Sequence, residues 1–359
     1  MTSGPATAVL TRPQRRDIAL LRVVAIVGVV AIHVSGLVVT ARGLRDEPVW
    51  WLGHVLNSGS RFCVPLFVMV SGALLLRPSR EEPAREFYRR RLDRLVPALV
   101  VWYVVYIAFS RFVVGTERGP GEVLALVLSG RTYTGLYFFW LILGLYLATP
   151  ALRKLLAGLD GPRLLAVGLL LTALAVAWNT ANAFVNRFST VDVDATPNAF
   201  SYWIPYVGYF VLGAALSHGP VSRRVAPWAA GALGLTTVVS VLETTGRTPG
   251  FLTWLAPVDY LGGLVAVATV TLFLVGAALL HPTEAPSVLD RLVHTLGGLT
   301  LGVFATHLMV LYALQRVVVD EGVVPRSVPA LLLLLAGTVA ISFAVAWVMS
   351  RIPGLRRLV

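Results

Sequence analysis

Long apolar runs follow one another along almost the whole chain, separated by short basic gaps, and no single water-shielded core could absorb them all. Hydrophobic residues make up 57% of the 359 residues and charged residues 13%, against about 25% charged in a soluble domain. Several runs reach the ~20 apolar residues that cross a bilayer. The pattern predicts an all-α, polytopic membrane helix bundle forming one domain over 1–359. Ten spans are expected at 18–40, 57–76, 95–113, 135–150, 163–183, 201–217, 225–242, 254–279, 297–318 and 327–350. The stretches 41–56, 77–94, 114–134 and 184–200 read as polar loops, each too short for a soluble domain.

Ten spans put both termini on one side of the membrane. That side then holds 20 of the 30 basic residues. The positive-inside rule places it in the cytoplasm, with the basic segments 1–17 and 351–359. Nine spans would split these two segments across the membrane. The run 18–40 is longer than a signal-peptide core and lacks a convincing cleavage site, so it reads as an uncleaved first span. The net charge of +12 would suggest nucleic acid in a soluble protein. Here the arginines sit between spans, where they anchor topology and meet anionic lipid headgroups, so nucleic acid is not an expected partner. Cys63 is the only cysteine, which excludes an intrachain disulfide, and no Cys/His cluster has the spacing of a metal site.

Ionisable groups at membrane depth are costly and mark functional sites. His33 lies deep in the first span. Arg22 precedes it by eleven residues, which is close to three helical turns, so both share one stripe about 16 Å apart along the axis. Arg61 opens the second span, where an interfacial anchor is the plainer reading. Ser71-Gly72 reads as helix packing. The segment Arg89-Arg90-Arg91-Leu92-Asp93-Arg94 is the most basic, and guanidinium groups recognise phosphate in bidentate fashion. It suits either a phosphate-bearing ligand or anionic lipid. His307 sits mid-span in the ninth helix and Asp259 in the outer part of the eighth. Trp140 opens an aromatic stretch that suits an interfacial belt. His54 and His218 fall in loops, and His281 and His294 near span ends; none of the four is assigned a role.

These segments resemble the membrane acyltransferase-3 family. Arg16-Asp17-Ile18-Ala19-Leu20-Leu21-Arg22 followed by His33 is similar to its opening, an arginine and then a histidine. Pro65-Leu66-Phe67-Val68-Met69-Val70-Ser71-Gly72 is similar to its second span, although Val68 and Met69 replace commoner aromatic residues. Arg91-Leu92-Asp93-Arg94, ahead of Pro97, is similar to its Arg-x-x-Arg motif. Tyr137 to Pro150, Phe210-Val211-Leu212-Gly213 and Phe304 to His307 resemble its later helices, in the expected order.

The resemblance implies a ten-span enzyme of the bacterial cytoplasmic membrane, of the stand-alone subgroup without an extra hydrolase-like domain. Such enzymes transfer an acyl group, often acetyl, from cytoplasmic acyl-CoA to a hydroxyl of a cell-surface glycan, glycolipid or exported metabolite. Acyl-CoA is then a co-substrate, and no permanently bound cofactor is expected. The resemblance implies that His33 is catalytic and that Arg22, Arg91 and Arg94 bind the donor, with Arg90 beside them. Asp17, Arg61, Trp140, Asp259 and His307 are candidates for the acceptor side or for support. A neutral imidazole can take the hydroxyl proton as general base. A transporter or flippase of a lipid-linked or small-molecule substrate is the alternative. It would show repeats and broken helices in matching halves, which the sequence lacks. A purely structural protein would not place His33, His307 and Asp259 in its spans.

Overall fold

The computed structural model describes residues 16–76, 82–189, 197–280, 287–318 and 324–359. Residues 1–15, Arg77, Arg80 and His281 lie outside the described residues. The described chain is helical and contains no strand. In order it forms α1 (Arg16–Val39), α2 (Pro48–Gly59), α3 (Cys63–Leu75), α4 (Ala84–Phe112), α5 (Pro120–Leu128), α6 (Tyr137–Leu155) and α7 (Gly161–Phe188). A tight turn, Ile204–Tyr206, leads into α8 (Val207–Leu216). Then come α9 (Val225–Thr244), α10 (Leu252–Leu255), α11 (Gly263–Leu279), α12 (Val288–Gly298), α13 (Thr300–Val318) and α14 (Val328–Arg351).

Among the described residues, eight segments are long and apolar enough to cross a membrane, counting α2 and α3 as one broken span, Pro48–Leu75. Two shorter apolar helices, Ile204–Leu216 and Gly263–Leu279, fall where the sixth and eighth spans are expected. The chain is a multi-pass helical bundle. α1 and the broken span are the most enclosed, and α7 is the least. On α7, Leu169, Leu170, Leu174, Trp178 and Phe188 are exposed, an apolar surface too extended for water and suited to lipid.

The polar stretches are more helical than expected. The stretch 41–56 turns helical at Pro48, a residue pre-organised for a first turn, and buries Val49, Trp50 and His54. The stretch 77–94 is helical from Ala84, so the arginines lie on the first turns of α4 rather than in a loop. Pro120 starts α5 inside 114–134, and α7 runs on to Phe188. α12 was not expected at all. Its start is a capping box, with Ser287 and Asp290 each bonding the other's backbone. The eighth span is shorter than expected, because Pro257 cannot continue a helix from α10 and α11 begins only at Gly263. Asp259 therefore sits on irregular backbone, not within a helix.

Two glycines hold the centre together. A Cβ at Gly72 of α3 would strike the carbonyl of Phe210 on α8, and one at Gly213 of α8 would strike the carbonyl of Met69 on α3. The helices meet backbone to backbone, as small residues allow in membranes. This explains Ser71-Gly72 and Phe210-Val211-Leu212-Gly213 as packing elements.

Candidate active site

One end of the bundle gathers the starts of α1, α4 and α13, the second half of α3, the first half of α6 and the end of α12 around a cavity of about 210 Å³. Arg22 of α1 and Arg90, Arg91 and Arg94 of α4 line it, and among the described residues no carboxylate does. Thr300 and Leu301, in the first turn of α13, line it too. A helix start carries unpaired N–H groups and partial positive charge. Four guanidinium groups and a helix N-terminus make this a site for an anion, above all a phosphate.

The four arginines are not equivalent. Arg90 is spent on two carboxylates, Glu82 at 2.5 Å and Glu86 at 3.2 Å. Glu82 also meets Arg153, at 3.9 Å. Arg94 donates to the main-chain oxygen of Val359 at 2.8 Å, and Trp102 beside it donates to that of Leu358 at 3.0 Å. Arg91 lies over the ring of Phe87, 6.0 Å from its centre. Among the described residues, Arg22 has no acidic partner.

The inner end of the cavity is aromatic. Phe67, Phe138, Phe139 and Phe304 line it. Phe138 packs on Phe67 at 5.7 Å and on Phe304 at 5.1 Å between ring centres. Phe304 in turn touches His307, at 6.0 Å. His307 of α13 faces His33 of α1, with ring centres 5.2 Å apart and planes tilted by 42°. The two histidines thus lie behind the aromatic wall, and the arginines in front of it. His33 is half-buried, whereas His307 is only 1% exposed.

Residues not singled out from the sequence hold His33 in place. Asn57 of α2 donates to the carbonyl of Ile32 at 3.1 Å and to Ser35 Oγ at 3.3 Å, fixing the turn that carries His33. A Cβ built at Gly135 lies 3.8 Å from His33 Nε2. Gly135 has φ +88°, a left-handed conformation that glycine adopts without strain, and it delivers the start of α6 beside the imidazole. Asn57 was visible as a polar residue at the start of an apolar span. Gly135 carries no such signal, since its role depends on a contact across the fold.

The remaining candidates lie elsewhere. Arg61 sits at the break between α2 and α3. It donates to the carbonyl of Val258 at 2.5 Å and to Asn57 Oδ1 at 3.2 Å. The Asp259 carboxylate accepts from Asn179 at 2.9 and 3.1 Å and from the backbone N–H of Leu261 at 2.8 Å. Trp140 packs between Tyr103 and Phe200. Asp17 is buried in the first turn of α1, where negative charge suits the helix dipole. Among the described residues no three His, Cys, Asp or Glu side chains gather as a metal site. His54 is not in a loop, as expected, but buried in α2, with Nδ1 3.2 Å from Thr244 Oγ1. At the cavity end, α12 is tied to the start of α1 through Arg16 and Asp290 at 3.0 Å. Bonds from Ser287 and this guanidinium hold the Asp290 carboxyl below its ordinary pKa.

Fold and cavity together define a polytopic membrane protein with an arginine-lined cavity backed by a histidine pair. Comparison with known families is specific: the acyltransferase-3 family model, described as an acyltransferase domain, matches residues 15–347. The chain belongs to that family and is a membrane acyltransferase. Comparison with curated proteins and with solved structures gives no match.

Proposed function

We propose that this protein moves an acyl group, acetyl in the simplest case, from cytoplasmic acyl-CoA to a hydroxyl of a cell-surface glycan, glycolipid or exported metabolite. The observation that carries this reading is the alignment of the arginine cavity, the aromatic wall and the His33–His307 pair along one line of the bundle. The basic end faces the cytoplasm of a bacterial cell, by the distribution of arginine, and both termini lie there. Arg22, Arg91 and Arg94, with the start of α13, hold the donor phosphates. A cavity of about 210 Å³ is below the usual 300–1,000 Å³ of a small-molecule site. It takes a phosphate group and part of the pantetheine arm, while the nucleotide stays at the mouth. The arm passes the Phe67–Phe138–Phe304 rings to reach His33.

At His33 the imidazole removes the proton from the acceptor hydroxyl as its oxygen attacks the thioester carbonyl. The carbon–oxygen bond forms, and the tetrahedral intermediate collapses with loss of the carbon–sulfur bond. The imidazolium returns its proton to the leaving thiolate. The products are the O-acyl ester and free CoA. A transporter or flippase is the weaker reading, since the family match favours acyl transfer.

The test is His33→Gln, which keeps a hydrogen-bonding side chain but takes no proton at neutral pH. Transfer from labelled acetyl-CoA, in membranes matched for protein level, is expected to fall by ~10²–10⁴-fold, the contribution of a general base. Binding of acetyl-CoA is expected to persist, because the phosphates are held 16 Å away, by about the eleven-residue rise of α1. Near-parental transfer in His33→Gln would remove His33 from the chemistry.

A further inference from the structure

His307 has an arrangement that packing alone does not require. Its Nδ1 lies 2.7 Å from the carbonyl oxygen of Phe304 and 3.1 Å from that of Val303. Carbonyl oxygens only accept, so Nδ1 carries the hydrogen. In a neutral imidazole the other nitrogen is then an acceptor. That nitrogen, Nε2, is buried and has no hydrogen-bond partner. Buried acceptors are normally paired, so an orphaned one beside a reactive group asks for a donor. Nearby hydroxyls are committed elsewhere: Tyr106 donates to the carbonyl of Ala305, and Thr306 to that of Gly302. The polar ring against His307 is His33, 5.2 Å away between centres.

We infer that His307 is a positioning residue for His33: its unpaired Nε2, on a ring 5.2 Å from that of His33, becomes the acceptor for the His33 N–H in the working complex and so fixes which His33 nitrogen keeps its lone pair for the acceptor hydroxyl. This rests on the general-base reading of His33. A neutral imidazole has one N–H and one lone pair, and only one assignment leaves the lone pair facing substrate. The main chain of α13 sets the tautomer of His307, and His307 sets the tautomer of His33. When His33 takes the proton, both of its nitrogens donate, and the lone pair of His307 is already in place for one of them. Because His307 is almost wholly buried, it acts through His33 and does not touch substrate. The logic is that of any base oriented by a third group.

The experiment compares His307→Leu with His307→Gln, using labelled acetyl-CoA in membranes and the purified protein for melting temperature. The Leu side chain fills the volume without an acceptor, whereas the Gln amide oxygen falls near the place of Nε2. His307→Leu is expected to lower kcat by about 10- to 100-fold, the scale found for residues that orient another imidazole. Its KM for acetyl-CoA is expected to stay parental. His307→Gln is expected to recover most of that loss at an equal melting temperature. Parental kcat in His307→Leu would overturn the inference, and so would equal losses in Leu and Gln. His33→Ala is measured alongside. If it stays active, the general-base reading itself fails. If it is inactive while His307→Leu is parental, only the positioning role fails.

Discussion

The two ends of the bundle both carry arginine at or inside the membrane, and they treat it in opposite ways. At the break between α2 and α3, both terminal nitrogens of Arg61 are employed by the protein, bonding a main-chain carbonyl and an amide that itself braces α1. In the cavity at the other end, Arg22 has no acidic partner among the described residues, and Arg91 has only the face of an aromatic ring. A guanidinium whose partners are built in serves the scaffold. One that is held in a cavity wall without a carboxylate among the described residues is, on the proposed reading, left for the phosphate of the donor. Arg94 stands between the two cases, with one nitrogen on Val359 while the side chain still lines the cavity. The difference is one of partners, not of residue type, and charge patterns along the sequence do not reveal it.

The sharpest way to break this contrast is at Arg91 and Arg94. Alanine at either position is expected to weaken binding of acetyl-CoA by about 10- to 150-fold, the loss of one charge-assisted bond to phosphate. Melting temperature is expected to change little for Arg91→Ala, and lysine is expected to restore only part of the affinity, because it lacks the fork. Arg61→Ala should do the reverse. It leaves the Val258 carbonyl and Asn57 amide short of a partner, a loss of about 1–3 kcal/mol, read as a lower melting temperature with donor affinity unchanged. Weakened donor binding without a stability loss would show that the two ends are not specialised as described. Arg90→Ala gives the smallest expected effect, within about fivefold in affinity. Its charge is already offset by Glu82 and Glu86, which leaves little of it for a phosphate, and Glu82 keeps Arg153 as a partner.

Much of this was legible beforehand. Apolar runs of bilayer length fix the class of fold, and the eleven-residue spacing puts Arg22 and His33 on one stripe whatever else the bundle does. The start of α12 carries its own signal in Ser287-Val288-Leu289-Asp290, a serine followed three residues later by an acid. Other features belong to the assembled molecule alone. The pairing of His33 with His307 joins positions 274 residues apart in the chain. Asn57 matters because α2 doubles back along α1, and Gly135 because a left-handed turn brings α6 to the imidazole. Apolar neighbours along the sequence suggest a helix through Asp259, whereas Pro257 prevails in the fold and α11 begins only at Gly263.

α4 has 29 residues, about 43 Å of helix at 1.5 Å per residue, while the hydrocarbon layer is only ~30 Å thick. The surplus falls on the turns bearing Arg85 to Arg94, which therefore stand among lipid phosphates. With acyl-CoA as the proposed donor, headgroup and donor present the same chemical group to the same guanidiniums. The surrounding bilayer is then a standing competitor for the site, and the effective affinity for donor becomes a joint property of the protein and of the lipid in which it sits.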